Sequence, residues 1–253
     1  MCGVKIMENT LPDLTDEAQR LADKIKVAGL NVKLLGGLAI WFHSPSARHE
    51  PLQRQYGDLD FIGPKKEMKK FIQLMIDSGY IEDKRFNAIH GATRLILIDS
   101  THERPVDVLI DTFKMCHEID LSDRLFGHSP TIPLADLLLS KLQVTKLAHK
   151  DVADIAALLL DQEFTPSGID MDYIIRILGN NWGFEHTVRR TLDNLPIHLS
   201  EFQLTPTQKE VITAKIDKLR VEILGGKKSA GYKIRAKIGE KLPWAEEPEE
   251  LVH

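Results

Sequence analysis

The fold turns on Val32-Lys33-Leu34-Leu35-Gly36-Gly37-Leu38-Ala39-Ile40-Trp41-Phe42. A short apolar run enters a glycine pair and a second apolar run leaves it. That is the pattern of a strand, a tight turn and a helix opening directly on the turn. Glycine at such a turn lets the backbone approach a ligand closely, and the first N–H groups of the helix then point at an anion. Gly-Gly alone is a weak motif, so its neighbours must specify it.

Downstream, Leu59, Phe61 and Ile62 surround Asp58 and Asp60 and end at Gly63-Pro64, which predicts a second strand and then a helix from Pro64 to Ser78 closed by Gly79. Thr93 to Ile98 and Val106 to Ile110, both rich in branched apolar residues, flank the polar stretch Asp99 to Arg104 and predict an antiparallel hairpin. Residues 44 to 57 carry Pro45 and Pro51 without periodicity and read as an unusually long loop. Upstream, Leu21, Ile25 and Ala28 recur at helical spacing after Thr15, and Gly29 stops the run. From Pro133 the character changes. Leu134, Leu137, Leu138 and Leu142, then Val152, Ile155, Ala156 and Leu159, have helical period, with further helices expected at 170–178, 184–192 and 207–224. The expected class is α+β: a small β-sheet with flanking helices over residues 1–130, then a helical C-terminal domain over 131–253 with a charged tail.

Composition excludes several classes. The 253 residues are 43% hydrophobic and 28% charged with 16 Gly and 12 Pro, which is neither collagen-like nor disordered. A net charge of −4 gives no general electrostatic footprint for nucleic acid, although Lys227, Lys228, Lys233, Arg235, Lys237 and Lys241 form a local basic run before Glu246, Glu247, Glu249 and Glu250. That run reads equally as a solvated tail and as an anion site. No apolar stretch approaches the roughly 18 residues of a membrane span. The N-terminus lacks a signal-peptide pattern and reads as cytoplasmic. Cys2 reads as a thiol at a disordered end and Cys116 as a small buried hydrophobe; neither belongs to a set with zinc spacing. Trp182 and Trp244 read as packing residues.

The chemistry lies in the acids. Asp58 and Asp60 stand two apart on a strand and so share a face. Two carboxylates side by side raise each other's cost of ionisation, and a divalent cation with hard oxygen ligands reverses that cost, which suits Mg²⁺. If the hairpin strand bearing Asp107 lies beside the Asp58–Asp60 strand, a third carboxylate joins the pair, able to share a metal or to take a proton. The bland alternatives are a solvent-facing strand end for Asp58 and Asp60, and an ion pair of Asp107 with Arg104 or Arg94. Asp111 is a rival for the third acid. Lys141 stands among leucines, where a snorkelling stem is as natural as a phosphate ligand. Asp151 and Asp154 share one helical face and could simply decorate it.

Leu35-Gly36-Gly37-Leu38-Ala39-Ile40, Arg54-Gln55-Tyr56-Gly57-Asp58-Leu59-Asp60-Phe61 and Val106-Asp107-Val108 resemble the glycine, Asp-x-Asp and third-acid motifs of the DNA polymerase β-like nucleotidyltransferase superfamily. The style is that of its small prokaryotic branches, the aminoglycoside and lincosamide nucleotidyltransferases and the abortive-infection toxin nucleotidyltransferases. Leu137 to Gln143 and Lys150-Asp151-Val152-Ala153-Asp154 are similar to helical elements of the toxin-like branch, so the resemblance spans roughly residues 30 to 162. It implies a mixed sheet and Mg²⁺ (or Mn²⁺) held by Asp58, Asp60 and Asp107. The implied reaction is transfer of a nucleoside monophosphate from a nucleoside triphosphate to a hydroxyl, with Asp107 as base. It assigns Gly36, Gly37, Arg54 and Lys141 to the nucleotide, with Asp151 and Asp154 lining the cleft or orienting Lys141. Gly37 stands where many members have serine, and Tyr56 where the toxin branch has Ser or Thr.

Two functions follow as expectations. One is an active, metal-dependent nucleotidyltransferase whose acceptor is a small molecule, a protein or a tRNA, the first two being favoured by the absence of a strongly basic face. The other is a catalytically silent nucleotide-binding or toxin–antitoxin interaction module that pairs with an antitoxin through the helical third.

Overall fold

The computed structural model describes residues 9–246; Cys2 and the acidic residues Glu247, Glu249 and Glu250 lie outside them. The chain forms two compact units. Of the described residues, the first comprises 9–39, 55–113 and 120–132, and the second 40–54, 114–119 and 133–246.

In the first unit, α1 (Leu14–Val27) buries Leu14, Ala18, Leu21 and Ile25 along one stripe. Its cap is Asp13, two residues ahead of Thr15: the Asp13 carboxylate accepts the backbone N–H of Thr15 and of Asp16. Gly29 follows at φ +65°, ending the helix as its sequence position implies. Strand β1 (Lys33–Leu35) leads through the glycine pair into α2 (Gly36–His43). Strand β2 (Leu59–Gly63), α3 (Met68–Asp77) after a 3₁₀ turn, and the hairpin of β4 (Arg94–Asp99) with β5 (Arg104–Ile110) occupy the expected stretches. Between them lie a two-residue strand β3 (Ile81–Glu82) and a seven-residue helix α4 (Lys84–His90), which the sequence reading did not anticipate because elements this short carry no measurable period.

The sheet is mixed, with strand order β1-β2-β5-β4-β3. Strands β2 and β5 run parallel while β1–β2, β4–β5 and β3–β4 are antiparallel. The β4–β5 hairpin therefore inserts its second strand directly against β2. The Phe61 ring on β2 packs on Phe71 of α3 at 5.4 Å between centroids, and Met68, Phe71 and Met75 supply the apolar face of that helix. A two-stranded ribbon, β6 (Thr112–Lys114) with β7 (Glu118–Asp120), completes the strands.

The second unit is helical: α5 (Leu134–Leu142), α6 (His149–Asp161), α7 (Met171–Asn180), α8 (Trp182–Leu199), α9 (Pro206–Gly225) and α10 (Ala230–Ile238). Helix α8 runs seven residues beyond the expected 184–192 despite Pro196 inside it. Pro196 has no N–H for the Leu192 carbonyl, and Arg220 of α9 donates to that oxygen at 2.7 Å in its place. The basic run from Lys227 is not a featureless tail: its middle forms α10, capped by the Ser229 hydroxyl on the Tyr232 N–H and without a buried residue. Cys116 is a buried free thiol. Trp182 stacks on His186 at 4.8 Å, and Trp244 meets the same ring edge-on. Residues 44–57 include a 3₁₀ turn, Pro45–Arg48, tied down by Ser46, whose N–H and hydroxyl both donate to the Asp161 carboxylate. No helix among the described residues is long and apolar enough to cross a membrane.

Candidate active site

The first unit gathers Gly36, Gly37, Asp58, Asp60 and Asp107 at one end of the sheet. Asp60 of β2 and Asp107 of β5 are direct partners in the parallel register. Cross-strand partners project to the same face, so the third acid stands beside the Asp-x-Asp strand, as the hairpin arrangement required. On its other side Asp60 is the partner of Leu35, the last residue before the glycine turn. Asp58 is exposed and immediately precedes β2, while Asp60 is half-buried.

Gly36 adopts φ +70°, a region an L side chain enters only at a cost. A Cβ on Gly36 would collide with Oδ2 of Asp60, so the Asp60 carboxylate lies flat against the turn that opens α2. The glycine is thus required twice over, by the backbone conformation and by the acid seated on it. The N-terminus of α2, with its outward N–H groups, begins at the same residue.

The Asp107 carboxylate is already engaged. Arg94 of β4 donates from Nε to Oδ1 at 2.8 Å and from Nη2 to Oδ2, a two-point grip between a guanidinium and a carboxylate that are both partly exposed. Arg104, the other candidate partner, instead pairs with the buried Asp99, which also accepts from Thr10 and Thr101 and contacts His102. Burial alone would raise the Asp99 carboxyl; Arg104 and these hydrogen bonds outweigh it and hold it near 2. Asp111, the rival acid, has φ +61° and accepts the Lys65 N–H, which makes it a turn residue. With Arg94 on Asp107, the described residues contain no group of three or more His, Cys, Asp or Glu side chains drawn together as a metal shell. The carboxylate oxygens of Asp58, Asp60 and Asp107 are of the hard type that Mg²⁺ takes.

The remaining site candidates form their own group inside the second unit. Arg54 grips Asp154 of α6 in the same two-point manner, at 2.9 Å on each oxygen. Lys141 of α5 meets Asp154 at 2.8 Å and Asp151 at 3.0 Å. Burial would raise the Asp154 carboxyl, but Lys141 and Arg54 hold it below the usual range. Burial would likewise lower Lys141, and the two aspartates push it up instead. Two cations and two carboxylates therefore close on one another, tying α5, α6 and the 40–54 segment together. The apolar period puts Lys141 and the Asp-x-x-Asp pair on successive helices, but the partnership of Arg54 with Asp154, 100 residues on, has no local signal.

The chain matches no family model, and no curated protein matches its sequence. Its backbone is similar, at a TM-score of 0.41 and 17% identity, to the crystal structure of a lincosamide antibiotic adenylyltransferase with lincomycin bound. The similarity covers 58% of this chain and 96% of that one. The partner of Asp107 is Arg94, one of the two arginines that the sequence offers for a structural ion pair, and its only sequence signal is its place on the neighbouring hairpin strand.

Proposed function

We propose that the chain is a nucleotidyltransferase of the DNA polymerase β-like kind, moving a nucleoside monophosphate from a nucleoside triphosphate to a hydroxyl. The observation that supports this reading most directly is the in-register pair Asp60–Asp107 with Asp60 seated on the Gly36 turn. In this reading the Gly36-Gly37 backbone and the first N–H groups of α2 receive phosphate oxygens. The acceptor hydroxyl oxygen attacks the α-phosphorus, the bond to the β-phosphate oxygen breaks, pyrophosphate leaves, and the hydroxyl proton passes to Asp107. Asp58, Asp60 and Asp107 would hold a divalent cation, which when bound neutralises charge on the triphosphate. Asp107 serves either role only when Arg94 yields its oxygens, so displacement of that guanidinium is part of the proposal. Lys141 enters as a residue oriented by Asp151 and Asp154, its ammonium already committed to both.

The competing reading is a catalytically silent nucleotide-binding or toxin–antitoxin module, and Arg94 standing where a cation would be favours it. One experiment separates them: Mg²⁺-dependent pyrophosphate release from each of the four ribonucleoside triphosphates over a panel of small-molecule, protein and tRNA acceptors, with wild type and Asp60→Asn. Turnover by wild type that falls at least about 10²-fold in the variant supports transfer. Equal inertness of both across the whole panel sinks it.

A further inference from the structure

The second unit contains a cavity of about 440 Å³ between the α5–α6 loop, one face of α8 and the segment at Trp244. Its size is that of a small-molecule site. Thr187, Arg190, Thr191, Asn194 and His198 line it at spacings of three, four, seven and eleven residues, a polar stripe along α8 where a packed helix face would be apolar.

The hydrogen-bonding groups around this cavity are unbalanced. Lys146 and Arg190 carry two full positive charges, and the lining includes no aspartate or glutamate. Among the described residues neither Lys146 nor Arg190 has a carboxylate partner; Arg190 instead lies over the Trp244 ring at 5.5 Å. The Trp244 indole N–H is buried without an acceptor among the described residues. Thr145 and Asn194, both exposed, lend their side chains to no hydrogen bond among the described residues. Lysine, arginine and indole can only donate, whereas Thr145 and Asn194 can donate or accept; the two cations stand at the exposed rim, and the buried group of the wall left without a partner among the described residues is a donor, the Trp244 N–H. The other polar groups are spoken for: Thr191 donates to the Val144 carbonyl at 3.0 Å, and Thr187 bonds the Gly183 carbonyl and His117. Glu201 lies 3.6 Å from His198 and is not part of the wall. A buried donor without an acceptor is costly and rare, which is the reason to look for the group that completes it.

The geometry points to a binding site for a small organic phosphate with a planar body, its dianionic oxygens taken by Arg190, Lys146 and the Trp244 N–H and its ring lying along Trp244, Leu147 and Val144. Two cations match a dianion, and a guanidinium pairs with phosphate in two-point fashion. This site owes nothing to Asp58, Asp60 or Asp107, so it stands or falls apart from the transferase reading.

Phenyl phosphate is the probe, with inorganic phosphate and phenol as its two halves, titrated calorimetrically into the full chain. Arg190→Ala and Lys146→Ala change exposed side chains, and Lys209→Ala, at an exposed α9 lysine outside the cavity lining, serves as the control. The expected result is saturable binding of phenyl phosphate, at least ten times tighter than either half, weakened tenfold or more by each of the two cation variants and unchanged in Lys209→Ala. Absence of saturable binding, affinity no better than that of inorganic phosphate, or affinity indifferent to both cation variants overturns the assignment. Equal weakening in Lys209→Ala overturns it too, since the anion is then held by general charge attraction and not by this cavity.

Discussion

Arg94 and Asp107, on adjacent strands of the first unit, hold each other through both carboxylate oxygens, and Asp107 is at the same time the register partner of Asp60. One acid therefore belongs to two arrangements, an ion pair across the hairpin and a carboxylate pair across the parallel strands. A guanidinium and a divalent cation compete for the same oxygens. Replacing Arg94 by Gln is expected to lower severalfold the Mg²⁺ concentration that half-saturates the thermal shift of the protein with triphosphate present. The pair is partly exposed, so its loss costs the apoprotein no more than about 1 kcal/mol. An unchanged Mg²⁺ midpoint would remove Arg94 from any competition for the site.

Gly36 and Gly29 provide an internal control for the seat of Asp60. Both have positive φ, +70° and +65°, but a Cβ at Gly29 meets nothing within 4 Å whereas one at Gly36 meets the Asp60 carboxylate. Ala at position 29 should cost about 1 kcal/mol for conformation alone. Ala at position 36 should cost about 2 kcal/mol or more and lower Mg²⁺-dependent triphosphate binding as well. Melting curves of the two variants, with and without Mg²⁺ and triphosphate, make the comparison, and equal behaviour would mean that Asp60 is free to move off the turn.

Lys141 neutralises two carboxylates in the second unit, and Arg54 reaches only one of them. Lys141→Met should therefore destabilise by about 3 kcal/mol, because a charge left behind in a buried setting is not re-solvated. Asp151→Asn, at the more exposed end, should cost less. The Asp154 carboxyl is lowered in the folded state, so its contribution is present above the ordinary value of 3.8 and lost as pH falls through the lower folded value. Lys141 is raised, so its contribution is present below the ordinary value of 10.5 and lost as pH rises through the higher folded value. Chemical denaturation in the wild type and Lys141→Met across acid and alkaline pH should show the two losses at opposite ends, with the alkaline one absent from the variant.

His117 sets a slope in between. Burial pushes it down to about 4; its ring stacks on Phe184 at 4.8 Å, and Nε2 meets the Thr187 hydroxyl at 2.7 Å. Because the unfolded chain binds the proton near 6.5 and the folded chain does not, stability falls as pH drops from about 6.5 toward 4, by up to about 1.4 kcal/mol per unit. His43, also lowered by burial, adds to the same window. In His117→Gln the slope of unfolding free energy against pH between 4 and 6.5 should flatten but not vanish; an identical slope would show that His117 protonates in the folded protein.

The strand–glycine–helix unit, the α3 segment, the β4–β5 hairpin and most of the helical second half were legible in the sequence, because each is governed by local rules: apolar period, a glycine stop, a polar turn between branched runs. The expectation that Asp58 and Asp60 share a face rests on the two-residue repeat of a strand, and β2 begins only at Leu59, so the repeat covers Asp60 and not Asp58. Partnership was not. Nothing local states that β5 inserts beside β2 and so sets Asp107 against Asp60, that Arg94 and not Arg104 takes the Asp107 carboxylate, or that Arg54 crosses to Asp154. Arg104 was diverted by Asp99, an acid whose burial demanded a cation first. The sequence by itself marked the long strands and helices, though not the short β3 and α4, and the residue types that could carry phosphate chemistry. Tertiary structure alone decided which charge neutralises which, because in the interior an ionised group must find a partner wherever the packing of the chain happens to bring one within reach.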